Sequence, residues 1–289
     1  MMRYLGYILI VVSALGWSIG VIAILIGQFG DRLGSGAAME LAGFDRPMVA
    51  RGPPVALCGF LLDADGIPSC EGLLVFRFED GWTAQAPLGC DDGIACVNSP
   101  AGLSVGAHRF TVDLPDARPR LDVRGYGTAW AWPADTRVVW IDVAAVFPLS
   151  EAARTDGKVG ALRDEAALGA VKTLAAGRLP VYLVCGQMRV YPSVRRLVEM
   201  CGAPRGPVVW VKPGSEAASL AGTRGVWPRI DVAALSTPAL ADAAGRLKIE
   251  VRRAPQAGQS PGASPGAASW EDVLRGLPAP AGAGAQEVK

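Results

Sequence analysis

An aspartate closes an apolar run in VVWIDVAAVFPLSE (138–151). A carboxylate at the mouth of a buried strand is where a phosphoryl-accepting nucleophile sits, so Asp142 raises the question of aspartyl-phosphate chemistry. Other chemistry-bearing residues are sparse. His108 is the sole histidine, and with no Ser or Cys partner recognisable it reads as a surface or packing residue. Six cysteines stand at 58, 70, 90, 96, 185 and 201 without a Cys-x-x-Cys pair, which argues against structural zinc. Cys58, Cys70, Cys90 and Cys96 lie close enough in sequence to form two disulfides. Cys90 and Cys96 flank the short loop DDGIA and are a reasonable local pair, and the other connectivities stay open. Cys185 and Cys201 are expected not to bridge. One ends a strand and the other follows a helix about 15 Å long, whereas bridged Cα atoms lie within about 7 Å.

The elements that must position these residues fall into two rhythms. Over residues 51–136, short extended runs alternate with turn signals: VALCGFLL (55–62), LLVFRFE (73–79), HRFTVDL (108–114) and LDVRGYGTAWAW (121–132). Such spacing predicts an all-β sandwich. Over residues 137–252, strand-like runs alternate with helical ones. VVWIDV, PVYLVC (180–185), PVVWVKP (207–213) and LKIEVR (247–252) read as strands, and 163–177, 192–202 and 237–245 as helices. This alternation predicts a parallel sheet with right-handed crossovers.

Residues 4–29, YLGYILIVVSALGWSIGVIAILIGQF, carry no charge over 26 positions. A helix of that length exceeds a hydrocarbon core of about 30 Å. Residues 1–29 therefore read as a transmembrane anchor, the alternative being a leader cut near SGA at 35–37. Gly16 and Gly20 form a GxxxG pattern with Gly27 near the same face, which lets helices approach closely in lipid. Arg3 lies before the run and Arg32 and Arg46 beyond it. With so short a head, a first apolar segment favours a body outside the cytoplasm. Residues 30–50 read as a linker and 253–289 as a Pro/Gly/Ala-rich tail. Within the tail, SWEDVLRGL (269–277) opens with a Ser269/Asp272 capping pattern. It sets Trp270, Val273, Leu274 and Leu277 on one helical face, a stripe expected to dock on its own domain or on a partner.

AGLSVGAHRFTVDLP (101–115), with a Gly-containing turn before an extended run, resembles bacterial immunoglobulin-like modules. VVWIDVAAVFPLSE and LPVYLVCGQMRVYPSVRRLVEMCGAPRGPVVWVKP (179–213) resemble the haloacid-dehalogenase-like (HAD) phosphatases. The nearest flavour is the lipin-like domain, also found at the C-terminus of membrane-associated phosphatidylinositol transfer proteins. The resemblance implies a Rossmannoid α/β domain in which a first Asp attacks phosphorus. A second Asp two residues later moves the proton, a Ser/Thr and a Lys hold the phosphoryl oxygens, and carboxylates hold Mg²⁺. This chain keeps Asp142 at the nucleophile position and departs elsewhere. Ala144 stands at the acid/base position, Ala145 and Val146 replace the Gly and Thr, and Val184 or Cys185 replaces the Ser/Thr. Lys212 is the candidate motif lysine, and Asp231 in RIDVAA is isolated. A missing general acid costs a factor of about 10²–10⁴ in rate. Asp142 and Lys212 are thus expected to be vestigial, with the Asp142 carboxylate capping a nearby loop.

These readings predict a transmembrane helix, then an immunoglobulin-like β-sandwich, then a HAD-like α/β domain with a parallel sheet. The expected function is that of a single-pass, membrane-anchored, non-catalytic binding or scaffold protein of bacterial type, an accessory subunit of a membrane complex. Its partners would be the bilayer and other membrane proteins, reached through the Gly16/Gly20/Gly27 face and the tail stripe, with no cofactor and no metal. Formal net charge is +1, from 28 basic and 27 acidic side chains, so no electrostatic footprint for nucleic acid exists. The alternative is a Mg²⁺-dependent phosphatase acting on a phospholipid or other phosphoester. A third reading is a lipid-headgroup sensor using Lys212.

Overall fold

The computed structural model describes residues 39–63, 65–115, 124–148, 165–257 and 269–277. Its N-terminal half holds two sheets. The smaller contains β1 (Glu40–Gly43), β3 (Ala56–Leu62) and β6 (Ile94–Asn98), antiparallel and in that spatial order. The larger contains β2 (Arg46–Val49), β8 (Arg124–Trp132), β7 (Gly106–Asp113), β4 (Leu73–Phe78) and β5 (Thr83–Pro87), again in spatial order. Strand β4 shows why these segments are strands: Leu74, Phe76 and Phe78 point inward and Arg77 outward, the two-residue period of a half-buried strand. Their core gathers Leu41, Met48, Leu57, Leu61, Phe110 and Val112. The sheets approach closely where β8 passes β1. A side chain at Gly125 would place its Cβ 2.6 Å from the Leu41 carbonyl oxygen, which only glycine avoids.

The third sheet contains β11 (Val208–Val211), β10 (Leu179–Cys185), β9 (Val138–Asp142), β12 (Ile230–Leu235) and β13 (Val251–Arg253), in that spatial order and all parallel. Every residue of β9 is buried, as for a central strand covered on both faces. One face carries Val139, Ile141 and Tyr182. It packs on α2 (Glu165–Ala175), α3 (Tyr191–Met200) and α6 (Trp270–Leu274). The other carries Trp140, Val181 and Leu183. It packs on α4 (Glu216–Val226) and α5 (Pro238–Arg246). A short α1 (Val143–Val146) follows β9 directly.

This architecture corrects the expected series of transmembrane helix, immunoglobulin-like sandwich and HAD-like domain. Among the described residues no helix is long and apolar enough to cross a membrane. Residues 1–29, with Gly16, Gly20 and Gly27, lie outside the described residues. The N-terminal sheets are not an all-antiparallel sandwich, because β2 runs parallel to β8. Residues 40–49, read from sequence as linker, supply β1 and β2. Nor do the halves stand in series: Ala42, Phe60 and Leu62 share one apolar core with Val139, Ile141 and Tyr182. Hydrophobic rhythm marks which residues extend. It does not say which strands pair or which cores merge.

Candidate functional site

The strand order of the parallel sheet reverses between β9 and β12, and the crevice at the carboxyl ends of such strands is where an open α/β sheet takes a ligand. Asp142, the last residue of β9, stands there and is 1% exposed. Its Oδ1 accepts the Ala144 N–H at 3.0 Å and so caps α1. Its Oδ2 accepts the Ser236 N–H at 3.1 Å, the Ser236 hydroxyl at 2.8 Å and the Thr237 N–H at 2.7 Å. The chain after β13 covers the same edge. The Ala257 N–H donates to the Ala144 carbonyl at 3.0 Å, and Ala254 and Ala257 are buried. The carboxylate therefore ties the ends of β9 and β12 together across the crevice.

The magnesium that the phosphatase resemblance implies does not fit these residues. The groups around Asp142 are hydrogen donors aimed at its oxygens, whereas a hard cation takes oxygen lone pairs. Among the described residues, no three His, Cys, Asp or Glu side chains gather as a metal site. Lys212 is exposed just beyond β11, and β10 separates that strand from β9, so Lys212 and Asp142 are not brought together. Cys185 ends β10 with its thiol 3.9 Å from Glu216 Oε1. The Gly214 N–H, foremost, holds the Glu216 carboxyl below its ordinary range. Cys185 and Cys201 both remain thiols. His108 is a half-buried strand residue whose Nε2 lies 2.8 Å from the Ser104 carbonyl.

Asp231, isolated in sequence, is placed between two arginines. Arg137 Nη2 donates to its Oδ2 at 2.5 Å and Arg178 Nε at 2.7 Å, and the Arg178 side chain is only 2% exposed. Burial pushes the Asp231 carboxyl up, but the hydrogen bonds and charges of the two guanidinium groups outweigh it and leave the pKa lowered. A carboxyl lowered in the folded state contributes stability above its unfolded-chain value of about 3.9, and that contribution is lost as pH falls through the folded value. Asp231→Asn should therefore cost about 2–3 kcal/mol at neutral pH, the range for a broken pair discounted for partial exposure. The gap between variant and wild type should close below about pH 4, as read from urea unfolding at a series of pH values.

A second buried charge joins the two halves. Asp45, between β1 and β2, lies with Oδ1 2.9 Å from Arg195 Nε of α3, a close ion pair whose N–H is not aligned along the contact. Asp45 also accepts the Thr128 and Val208 N–H groups, each at 3.1 Å, and its own N–H donates to the Tyr191 hydroxyl at 2.6 Å. Arg195 donates onward to the Tyr126 carbonyl at 2.7 Å and the Thr128 hydroxyl at 2.9 Å. Burial raises the Asp45 pKa, opposed by Arg195 and the Val208 N–H. Burial and then the Asp45 charge push the Tyr191 hydroxyl well up. Sequence reasoning missed this cluster, although a signal was present. Tyr191, Val194, Arg195 and Val198 fall at i, i+3, i+4 and i+7, all buried, so a charged residue sits within an apolar stripe.

Beside this cluster lies a cleft of about 430 Å³, lined by Phe44, Arg46, Asp92, Cys96, Trp210 and Thr223 among others. Phe44 stacks on Trp210 with ring centroids 5.6 Å apart and planes 16° from parallel. The indole N–H of Trp210 donates to the Gly186 carbonyl at 2.8 Å, which fixes the ring. The cleft offers an aromatic wall with Arg46 and Asp92 beside it, a surface suited to recognition.

The disulfide in its wall is Cys58–Cys96 and not Cys90–Cys96. Cys96 lies within β6, directly opposite Cys58 on β3 with Cα atoms 4.1 Å apart, so the strand register chooses the partner. The tail stripe packs within the chain: Val273 is buried in the core, with Trp270, Leu274 and Leu277 against it. Arg252 Nη1 donates to the Val273 carbonyl at 2.7 Å and the Arg275 carbonyl at 2.6 Å, which secures the C-terminal end of α6. No protein-family model and no curated protein sequence matches the chain.

Proposed function

We propose that this chain is a non-catalytic binding or scaffold protein that works at a membrane. Asp142 carries the reading. Its two oxygens accept four hydrogen bonds, and Ala144, two residues on, has no proton to give. A carboxylate that attacked phosphorus here would first have to shed its donors, leaving N–H groups at a covered edge without partners, at about 1–3 kcal/mol each. The Phe44–Trp210 cleft supplies a surface on which a partner can be recognised. Membrane attachment rests on the charge-free run 4–29 and its Gly16, Gly20 and Gly27. The partners would be the bilayer and other membrane proteins, with the described body outside the cytoplasm.

The test is direct. The full chain in detergent, given Mg²⁺ with p-nitrophenyl phosphate or phosphatidic acid, is expected to release no phosphate above the buffer rate. Asp142→Asn should behave alike. Release by the wild type that Asp142→Asn abolishes would make the chain a phosphatase and end the reading.

A further inference from the structure

Cys70 and Cys90 are exposed thiols that stand outside every site described above, at matching positions just beyond the open end of the β4–β5 hairpin. Its antiparallel pairs run from Arg77↔Thr83 to Leu73↔Pro87. The pairing continues past the strand ends, where the Leu88 N–H donates to the Gly72 carbonyl at 3.0 Å. Counted two further steps, that register matches Cys70 to Cys90, both of which lie beyond the strand ends. Both approaches are anchored. On one side the Ser69 N–H donates to the Leu61 carbonyl at 2.9 Å, and Pro68 bridges to Leu62. On the other, Gly89 and Gly93–Ile94 close a tight loop around Cys90 through two backbone bonds, Gly93 N–H to the Gly89 carbonyl at 2.9 Å and Gly89 N–H to the Ile94 carbonyl at 3.0 Å. The two segments touch, since a Cβ at Gly93 would lie 2.7 Å from Pro68 Cβ and 3.0 Å from the Ser69 oxygen.

We propose that Cys70 and Cys90 form a second disulfide, nested inside Cys58–Cys96. The influence of Cys70 on its neighbour accords with this, since it is the foremost cause that pushes the Cys90 thiol up. The existing bridge follows the same rule, joining residues directly opposed across an antiparallel pair. The oxidant is a small-molecule disulfide such as oxidised glutathione. One protein thiolate attacks it, forming a mixed disulfide and releasing one glutathione thiolate. The other protein thiolate then attacks the protein sulfur of that bond and expels the second glutathione. Two protein thiols lose two electrons and two protons, and the glutathione disulfide is reduced to two thiols. The bond would persist where the compartment is oxidising. This inference stands independently of the proposed function.

The experiment uses the full chain in detergent, equilibrated with oxidised and reduced glutathione, then acid-quenched and alkylated under denaturing conditions. Digestion before aspartate separates the four cysteines, because Asp63 and Asp65 lie between Cys58 and Cys70, Asp80 before Cys90, and Asp91 and Asp92 before Cys96. The expected result is a linked Cys70–Cys90 peptide pair beside Cys58–Cys96, with loss of two alkylatable thiols. Cys70→Ser should return Cys90 as one alkylatable thiol and leave Cys58–Cys96 intact. Full alkylation of Cys70 and Cys90, or their linkage to Cys58 or Cys96, would overturn the proposal.

Discussion

Replacing Arg195 with methionine is expected to lower the free energy of unfolding by about 3–5 kcal/mol, the range for removing one partner of a buried ion pair. Asp45 is the reason. Its side chain is 3% exposed and would keep a buried charge without its guanidinium. The pair itself need not be strongly stabilising, since burial already raises the Asp45 pKa against the pull of Arg195. The asymmetry gives a stringent check. Asp45→Asn combined with Arg195→Met removes both charges and should recover much of the loss. Urea unfolding of the two single variants and the double variant measures the coupling. Single and double losses that simply add would show that the cluster does not act as a unit.

Asp142→Ala should cost about 3–5 kcal/mol, as expected when a multiply bonded buried group is removed. The Ser236 and Thr237 N–H groups lose their acceptor, and α1 loses its cap. Asp142→Asn keeps one carbonyl oxygen and should cost less, about 1–3 kcal/mol, with its amide turned against the Ala144 N–H. The order Ala worse than Asn worse than wild type, read from thermal or urea unfolding, is what a structural brace requires. An Asp142→Ala variant as stable as wild type would remove that account of the residue.

Much of the secondary structure was legible, and particular residues show why. VVWID, LPVYLVC and VVWV are apolar runs of strand length, and they stand as β9, β10 and β11. SWEDVLRGL contains α6, with the Asp272 N–H bonded to the Ser269 hydroxyl at 3.1 Å. Segments with weak patterning were missed. EAASLAGTRGV, with two internal glycines, forms α4 despite poor helix propensity, because Leu220 and Thr223 are buried against the sheet. ELAG and RPMV are too short to show a period, yet they become β1 and β2. The same limit hid the buried contacts. Asp231 looks isolated because Arg137 and Arg178 lie 94 and 53 residues away. Cys58 and Cys96 are 38 residues apart, while the nearer Cys90 misled. Spacing along a chain reports local neighbours, and these partners are set by strand register.

Asp45 takes one hydrogen bond from the Val208 N–H, 163 residues later. A ribosome adds about 5–20 residues per second, so Asp45 emerges about 8–30 s before that partner exists. Until Arg195 and Val208 are made, the Asp45 carboxylate can keep its water, and its burial waits on both halves. The shared core and this buried pair can close only when both halves are present, so neither half has its finished interior alone.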